Sequence, residues 1–359
     1  MTHRPGYKAW RYIYLCVLVL LAPTTGLSII LHEGGEPNLL TWADKPANAV
    51  VGRWSTNASF VVVSPKWILT TRHQGGSPAT IDVNGVTYNC IYNTTYWTGG
   101  PAGNADIRLI RLKNTDSSDP NLAYYADPYT TTDEISKPMV IGGYGRGRET
   151  TLSGGSPLRV YGYTWGTGAN YNNNTQRWCT NIIDGNDVVF DGIRTSEVIT
   201  AHFNDPGATP YEGTPAEYDS GGGWFIKVGT VWKAAGLTRG VEPHPDDSNW
   251  PAKGESWYRY PPDPKHADPD GMDAVRISSY AAWINPIIDA DCNGPVQGDL
   301  NGDCKVDMLD FAQFANWWLR TDCVSGNSFC NGADFQPDGD VDMIDLALFV
   351  QNWLVDKSL

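Results

Sequence analysis

Charge is scarce in this 359-residue chain, and positive charge is scarcer than negative charge. Only 18% of the residues are charged, with 26 Lys and Arg against 40 Asp and Glu, so the formal net charge is −14. Nucleic-acid phosphates would be repelled by such a surface, which excludes nucleic acid as a predicted partner. Much of the negative charge lies near the C-terminus, where its spacing predicts metal ligation.

A hydrophobic run long enough to cross a membrane is also missing. The one candidate, residues 13–22, is shorter than the roughly 20 apolar residues that a spanning helix needs. It follows a basic start and precedes small, turn-forming residues at 23–26, which is typical of a secretory signal peptide. We predict a signal peptide at 1–27, a secreted or cell-surface location, and no membrane span after signal removal. The alternative is a retained anchor.

Helical periodicity is weak throughout the first 280 residues, whereas turn formers and aromatics are frequent. The chain contains 38 Gly, 24 Pro, 15 Trp and 18 Tyr. Short β-branched or aromatic runs at 59–63, 67–70 and 140–145 predict strands, and two runs around Gly229 predict a hairpin. We therefore predict a mainly β domain over residues 28–290.

Two segments near the end of this domain differ from the strand pattern. Residues 241–270 are rich in Pro, Asp and Trp without a period, and we expect an irregular surface insertion there. Apolar residues at helical spacing then predict a helix over 278–288.

Cysteine is sparse in the β domain and denser in the tail. Cys16 leaves with the signal, and Cys90 and Cys179 either form a disulfide or remain two buried thiols. Export permits disulfides. The tail holds four cysteines with three possible pairings, which the sequence leaves open: Cys292, Cys304, Cys323 and Cys330.

Three short motifs in the β domain contain the residue types of a nucleophilic triad. His73 follows a strand-like run, Asp106 precedes the alternating run 107–112, and Ser220 lies between an aspartate and three glycines. Serine becomes a nucleophile when an imidazole accepts its proton, and a buried carboxylate fixes that imidazole. The order His, Asp, Ser is one of the known triad orders, which predicts acyl transfer.

These motifs resemble those of the chymotrypsin-like (trypsin-fold) serine proteases. The family's Thr-Ala-Ala-His corresponds to Thr-Thr-Arg-His at 70–73, its Asp-Ile-Ala-Leu-Leu to 106–110, and its Gly-Asp-Ser-Gly-Gly to 218–222. Over residues 50–288, the resemblance implies two six-stranded antiparallel β-barrels with a C-terminal helix and the triad in the cleft between them. It also implies that Asp219 organises the oxyanion loop and that the Tyr218 and Ser220 amides are the oxyanion donors.

The chain departs from this family pattern at three places. Tyr218 stands where the family has glycine, and no cysteine lies beside His73 to form the family's disulfide there. Thr214 stands where trypsin-like members carry an acid, so no preference for Lys or Arg at the cleaved residue is predicted. Ile29 is a candidate new N-terminus after processing.

The tail, residues 291–359, contains an internal repeat at a constant offset of 35 residues. Asp299 to Leu319 matches Asp334 to Leu354 in both carboxylates and apolar positions. In each copy, oxygen-bearing residues occupy positions 1, 3, 5, 7, 9 and 12 of a twelve-residue loop, followed by an apolar helix. Such spacing supplies the six to eight oxygens that Ca²⁺ prefers. The predicted ligands of two Ca²⁺ sites are Asp299, Asn301, Asp303, the Lys305 carbonyl, Asp307 and Asp310, then Asp334, Gln336, Asp338, the Asp340 carbonyl, Asp342 and Asp345.

A calcium loop with one helix, present twice, resembles the dockerin type I family over residues 296–355. The resemblance implies calcium-dependent folding of a small α-helical domain and docking to a cohesin-like partner or a cell-surface scaffold. Gln336 departs from the usual Asn or Asp, and the tail cysteines suggest a disulfide-stapled variant.

Together the two parts predict a secreted serine endopeptidase acting on protein or peptide substrates and tethered by a calcium-dependent docking module. The alternative is a catalytically inactive trypsin-fold domain used for binding or adhesion, attached to a surface or scaffold through the same module.

Overall fold

A computed structural model describes residues 29–32, 39–92, 103–166, 175–204, 209–242, 254–259, 269–290, 296–300 and 305–355. The signal peptide predicted at 1–27 lies outside these residues. Among the described residues, antiparallel strands predominate and the α-helices all follow the last strand, so the mainly β fold class is confirmed. No helix in these ranges is long and apolar enough to cross a membrane.

The strands in chain order are β1 (Ile30–Leu31), β2 (Val51–Trp54), β3 (Ala58–Ser64), β4 (Trp67–Thr70), β5 (Thr80–Val83), β6 (Val86–Ile91), β7 (Arg108–Lys113), β8 (Pro138–Gly143), β9 (Arg148–Gly154), β10 (Arg159–Trp165), β11 (Arg177–Ile182), β12 (Gly185–Phe190), β13 (Thr195–His202), β14 (Gly213–Thr214), β15 (Gly223–Val228), β16 (Val231–Glu242), β17 (Glu255–Trp257) and β18 (Gly271–Arg276). The helices are α1 (Ala281–Ala290), α2 (Met308–Asn316), α3 (Ser328–Asn331) and α4 (Met343–Gln351). Short 3₁₀ turns occupy Asn48–Val50, Ile277–Tyr280 and Ser325–Asn327.

Two large antiparallel sheets form the β domain. The first has the predicted six strands, in the order β2-β3-β4-β7-β6-β5, and the second has seven, in the order β11-β8-β15-β16-β18-β13-β12. The second sheet exceeds the expected six because the β12–β13 hairpin adds β12 at its edge. The hairpin predicted around Gly229 is confirmed as β15–β16.

Strand β3 lies where the hydrophobic cores of the two sheets meet. All seven of its residues are buried. Successive side chains of a strand point to opposite faces, and here Phe60 and Val62 pack in the core of the first sheet. Val61 and Val63 pack instead in the larger core around the second sheet. A strand covered on both faces explains the unbroken apolar run in the sequence.

The segment expected to be an irregular insertion contains a strand. Within residues 241–270 the structure describes β17, which pairs with β10 in a three-stranded sheet with β9. Ser256 and Trp257 are buried, and the Trp257 amide donates to the Asp270 carboxylate at 2.7 Å. The prediction was wrong here because tertiary pairing, rather than local periodicity, forms this short strand.

Helix α1 confirms the helix predicted over 278–288, shifted by about one turn because the chain first forms a 3₁₀ turn at Ile277–Tyr280. Ile284 and Ile288 are buried against the larger core.

Helices α2 and α4 begin and end at positions exactly one repeat apart, as the internal repeat predicts. Asp307 and Asp342 cap their N-termini in capping boxes completed by Asp310 and Asp345. Each such box satisfies two backbone donors that a helix start leaves open. The buried rings of Phe314 and Phe349 stack with centroids 5.5 Å apart and join the two repeats.

The structure shows the pairing state of some of the cysteines. Cys323 and Cys330 form a disulfide, whereas Cys292 and Cys304 lie outside the described residues. Cys90 and Cys179 are buried free thiols. They do not pair because β6 places Cys90 in the core of the first sheet and β11 places Cys179 in the core of the second.

Candidate active site

The three predicted triad residues come together at the junction of the two sheets. His73 follows the end of β4, Asp106 precedes β7, and Ser220 precedes β15. The His73 Nδ1 atom lies 2.5 Å from Asp106 Oδ2, and His73 Nε2 lies 2.8 Å from Ser220 Oγ. The imidazole therefore bridges a carboxylate and a hydroxyl at hydrogen-bonding distance, which is the arrangement that proton transfer from serine requires.

Asp106 is held by backbone donors as well as by the imidazole. Its side chain is fully buried, and its Oδ1 atom accepts the amides of Arg72 at 2.8 Å and His73 at 2.7 Å. Its own amide donates to Ser196 Oγ at 2.9 Å. Because Oδ1 is occupied by these amides, Oδ2 is left facing His73 Nδ1 in one fixed orientation.

The Ser220 turn packs closely against the first sheet at Ser59. The Ser59 amide donates to the Ser220 carbonyl at 2.8 Å, and the Ser59 carbonyl accepts Thr70 Oγ1 at 2.7 Å. Gly221 has φ +81°, and a Cβ there would lie 2.3 Å from the Ser59 carbonyl oxygen. Glycine is required at this position both for its backbone conformation and for the close approach.

Asp219 is buried beneath the turn and accepts hydrogen bonds from separate segments. Its carboxylate accepts the Gly145 amide at 2.6 Å and the Ala216 amide at 2.9 Å, and it also accepts the Ile29 amide. A Cβ at Gly143 or Gly145 would overlap it, so glycine at both positions makes room for the carboxylate. Burial raises the pKa of Asp219 to about 7, although these hydrogen bonds and the charge of Arg177 oppose the shift.

Tyr218 adopts the backbone conformation that favours glycine. Its φ is +78°, in the left-handed region that costs a non-glycine residue roughly 1–2 kcal/mol. Arg146 holds the residue in place: its guanidinium lies 5.1 Å from the Tyr218 ring centroid and pairs with Glu217 at 2.6 Å. In the described part of the chain, neither the Tyr218 amide nor the Ser220 amide donates to a protein acceptor.

Thr214 contributes no charge to the site. It is fully buried in β14, which pairs with β1. The segment that includes Ile29 is thereby held beside the residues that precede Ser220.

Several residues around the triad were missed from the sequence. Arg194, in the turn between β12 and β13, places its Nε 3.9 Å from Asp106 Oδ1, and Ser196 accepts the Asp106 amide. Arg108 and Trp54 contact the segment after His73. None of these carries a local signal, because each acts on a residue distant in the chain.

The second tail loop brings carboxylates close together. Ligand oxygens of Asp340, Asp342 and Asp345 lie within 4.8 Å of one another. The expectation for Asp340 was a carbonyl ligand, whereas the structure also places its carboxylate in the cluster. A hydrogen bond with Asp338, burial and the charges of its acidic neighbours raise the pKa of Asp340, and a cation would relieve that repulsion.

The other predicted ligands of the second loop lie around this cluster. Gly339, with φ +104°, forms the sharp turn of the loop, and Asp334 accepts its amide at 3.1 Å. Gln336 donates to the Asp338 carboxylate. This set of carboxylate and amide oxygens fits a hard cation.

The first tail loop is described only in part. Asn301 and Asp303 lie outside the described residues. Asp310 is fully buried and accepts the amides of Leu300 and Asp307, each at 2.8 Å. Asp345 occupies the equivalent place in the second repeat and accepts the Phe335 amide at 2.7 Å. Asp299 and Lys305 belong to the described residues on either side of 301–304.

Comparison with known proteins identifies the tail. Residues 297–354 match the dockerin type I domain family, which confirms the resemblance predicted for that segment. No curated protein matches the chain. Among solved structures, "Crystal structure of Rv3671c protease, inactive form" is similar at 14% identity, covering 67% of this chain and 89% of that chain, with a TM-score of 0.35. A likeness this distant says nothing about activity.

The conformation of Tyr218 leads to a test with two substitutions. Tyr218→Gly keeps the amide and adopts the observed φ without strain, so kcat/KM for the peptide hydrolysis predicted from the motifs should stay within about threefold. Tyr218→Pro removes the N–H and fixes φ near −65°, so kcat should fall by about 10²–10³-fold or more. Thermal unfolding of both variants controls for loss of fold. Equal loss of activity in both would show that the tyrosine side chain, rather than its amide, is what the site needs.

Proposed function

We propose that the β domain is a secreted serine endopeptidase. The observation that carries this proposal is the continuous hydrogen-bonded line from Ser220 Oγ through the His73 ring to the buried Asp106 carboxylate. The resemblance of all three motifs to the chymotrypsin-like family supports it, as does the glycine-type conformation of Tyr218.

In the proposed mechanism Ser220 Oγ attacks the carbonyl carbon of the scissile peptide bond while His73 Nε2 takes the hydroxyl proton. Asp106 keeps the Nδ1 proton of His73 in place and stabilises the imidazolium. The negative oxygen of the tetrahedral intermediate accepts the Tyr218 and Ser220 amides. His73 then protonates the leaving amine, and a water activated by the same imidazole hydrolyses the acyl-enzyme.

The sheet next to Ser220 suits an extended peptide. The Gly221 amide donates to the Thr238 carbonyl, and beyond Thr238 the structure describes no strand on the β15 side of β16. Strand β16 continues to Glu242 while pairing on its other side with β18. An extended substrate can add to such an open edge through main-chain hydrogen bonds.

The triad assignment is tested by Ser220→Ala in the full-length secreted protein. Hydrolysis of a mixed peptide library should fall by a factor of about 10⁴ or more, because the nucleophile is lost. Ser153→Ala, on the exposed strand β9, is the matched control and should keep full activity. Unchanged hydrolysis in the Ser220 variant would exclude this mechanism.

We also propose that processing makes Ile29 the N-terminus. The Ile29 amide already donates to Asp219, so a free ammonium at that nitrogen would lie against a buried carboxylate. An opposite charge there favours ionised Asp219, and the ion pair would hold the oxyanion turn in place.

This processing step predicts a difference in pH dependence. Without a free Ile29 ammonium, the raised pKa of Asp219 means that its contribution to stability is fully present below pH 4 and is lost as pH rises through about 7. Other buried carboxyls, such as Glu212 with its pKa raised to about 7, affect both forms alike. Between pH 6 and pH 8, the melting temperature of a chain retaining residues before Ile29 should therefore fall by several degrees more than that of a chain that begins at Ile29. Parallel melting curves for the two forms would contradict the proposal.

For the tail we propose a dockerin-like module that binds two Ca²⁺ ions and tethers the peptidase to a cohesin-like partner or a cell-surface scaffold. The match over residues 297–354 and the carboxylate cluster at Asp340, Asp342 and Asp345 support it. Bound Ca²⁺ would supply charge compensation for these carboxylates. The protein contributes the loop turn at Gly339 and the capped helix that fixes Asp345.

Calcium binding is tested by calorimetry on the full chain after chelation. Wild type should bind two ions, and Asp345→Asn should weaken the second site by about tenfold or more, since that loop loses a ligand charge. Asp322→Asn replaces an exposed tail acid that pairs with Arg320 outside both loops, and it should leave both sites intact. No binding heat in wild type would contradict the site assignment.

A further inference from the structure

The segment that follows His73 is a tight turn without a covalent anchor. No cysteine lies beside His73, where the resembled family closes the loop with a disulfide. Gly75 and Gly76 both have positive φ, +64° and +71°. Two successive glycines reduce the intrinsic rigidity of a turn. Asp106 holds His73 directly, whereas the turn that follows it relies on contacts made by other segments.

The carbonyl oxygens of the turn converge on one guanidinium. Arg108 Nη2 donates to the Gly75 carbonyl at 2.8 Å, and Nη1 donates to the Gly76 carbonyl at 2.9 Å. The guanidinium also lies 4.4 Å from the Trp54 ring centroid, and Trp54 Nε1 donates to the same Gly75 carbonyl at 3.1 Å. The planar fork of arginine can bridge two acceptors while stacking on a ring, and lysine cannot do both.

Arg108 is a buried charge that depends on specific partners. Its side chain is 2% exposed, and desolvation lowers its pKa to about 10, so it stays charged at neutral pH. A buried charge is tolerated where hydrogen bonds and nearby opposite charge compensate it. The carbonyls, the indole face and the charge of Asp106 do so here. Arg108 is the first residue of β7 and stands two residues after Asp106, so one short segment carries both the triad carboxylate and the anchor of the turn after His73.

We propose that Arg108 is a positioning residue that fixes the turn at 74–76 and thereby aligns His73 between Asp106 and Ser220. The kinetic effects expected of Arg108 variants rest on the proposed peptidase function. The role of Arg108 in holding the turn does not depend on that function.

The kinetic test compares Arg108→Lys and Arg108→Met with wild type in the full chain. Lysine keeps the charge but loses the bridge, so kcat should fall by roughly 10–100-fold with KM little changed, because misplacement of a reacting group acts on the chemical step. Methionine removes both the bridge and the charge, so kcat should fall at least as far as in Arg108→Lys, again with KM little changed. Arg276→Lys disrupts another bidentate contact, between the half-buried Arg276 and the buried Glu134, and should keep wild-type kinetics.

Hydrogen exchange gives a readout that does not need activity. Amides of residues 72–77 should exchange faster in Arg108→Lys than in wild type, whereas in Arg276→Lys they should match wild type. Unchanged kcat and unchanged exchange in Arg108→Lys would overturn the proposal, as would a change in KM alone. If wild type fails to hydrolyse peptides but Arg108→Lys still loosens the turn, the peptidase function is wrong and the anchor stands. If Arg108→Met does not fold, the lysine variant alone decides.

Discussion

The site depends on the contact between the two sheets at Ser59. This buried residue of β3 donates its amide to the Ser220 carbonyl and accepts Thr70 through its own carbonyl. Its hydroxyl accepts the Tyr144 amide at 3.0 Å and donates to the Tyr218 carbonyl at 3.4 Å. One residue of the first sheet therefore contacts the nucleophile turn, the strand that leads to His73, and the turn that holds Asp219. These contacts of Ser59 therefore help to set the distance between His73 and Ser220.

Near this contact between the sheets, several ionisable groups are buried, and specific hydrogen-bond partners offset the cost of removing them from water. Asp106 is compensated by two amides and an imidazole, and Asp219 by amides from three segments. Arg108 is compensated by two carbonyls and an indole ring. Each of these groups would be costly if its partners moved, so the charges also fix the geometry of the loops that carry them. Strain at Tyr218 fits the same pattern, because Arg146 and Glu217 hold it from the side.

The sequence was informative where function imposes residue type and spacing together. The motifs around His73, Asp106 and Ser220 predicted three side chains that the fold brings within hydrogen-bonding distance. The 35-residue repeat predicted the two equivalent helices α2 and α4, each with its capping acids. Ser59, Ser196 and Arg194 could not be found in this way, because serine and arginine are common and their partners lie far along the chain. Strand β17 and the edge strand β12 were missed because pairing with distant strands, not local pattern, creates them.

We infer that the hydrogen-bonded line from Asp106 through His73 to Ser220 makes Ser220 a reactive serine in the folded protein. The most direct measurement is the stoichiometry and site of covalent labelling by a fluorophosphonate, read by mass spectrometry of the intact protein and its peptides. From this inference we expect one label per chain, located on Ser220 and abolished by prior unfolding. A folded protein that takes up no label, or takes it up at another serine, would contradict it and favour a binding domain without catalysis.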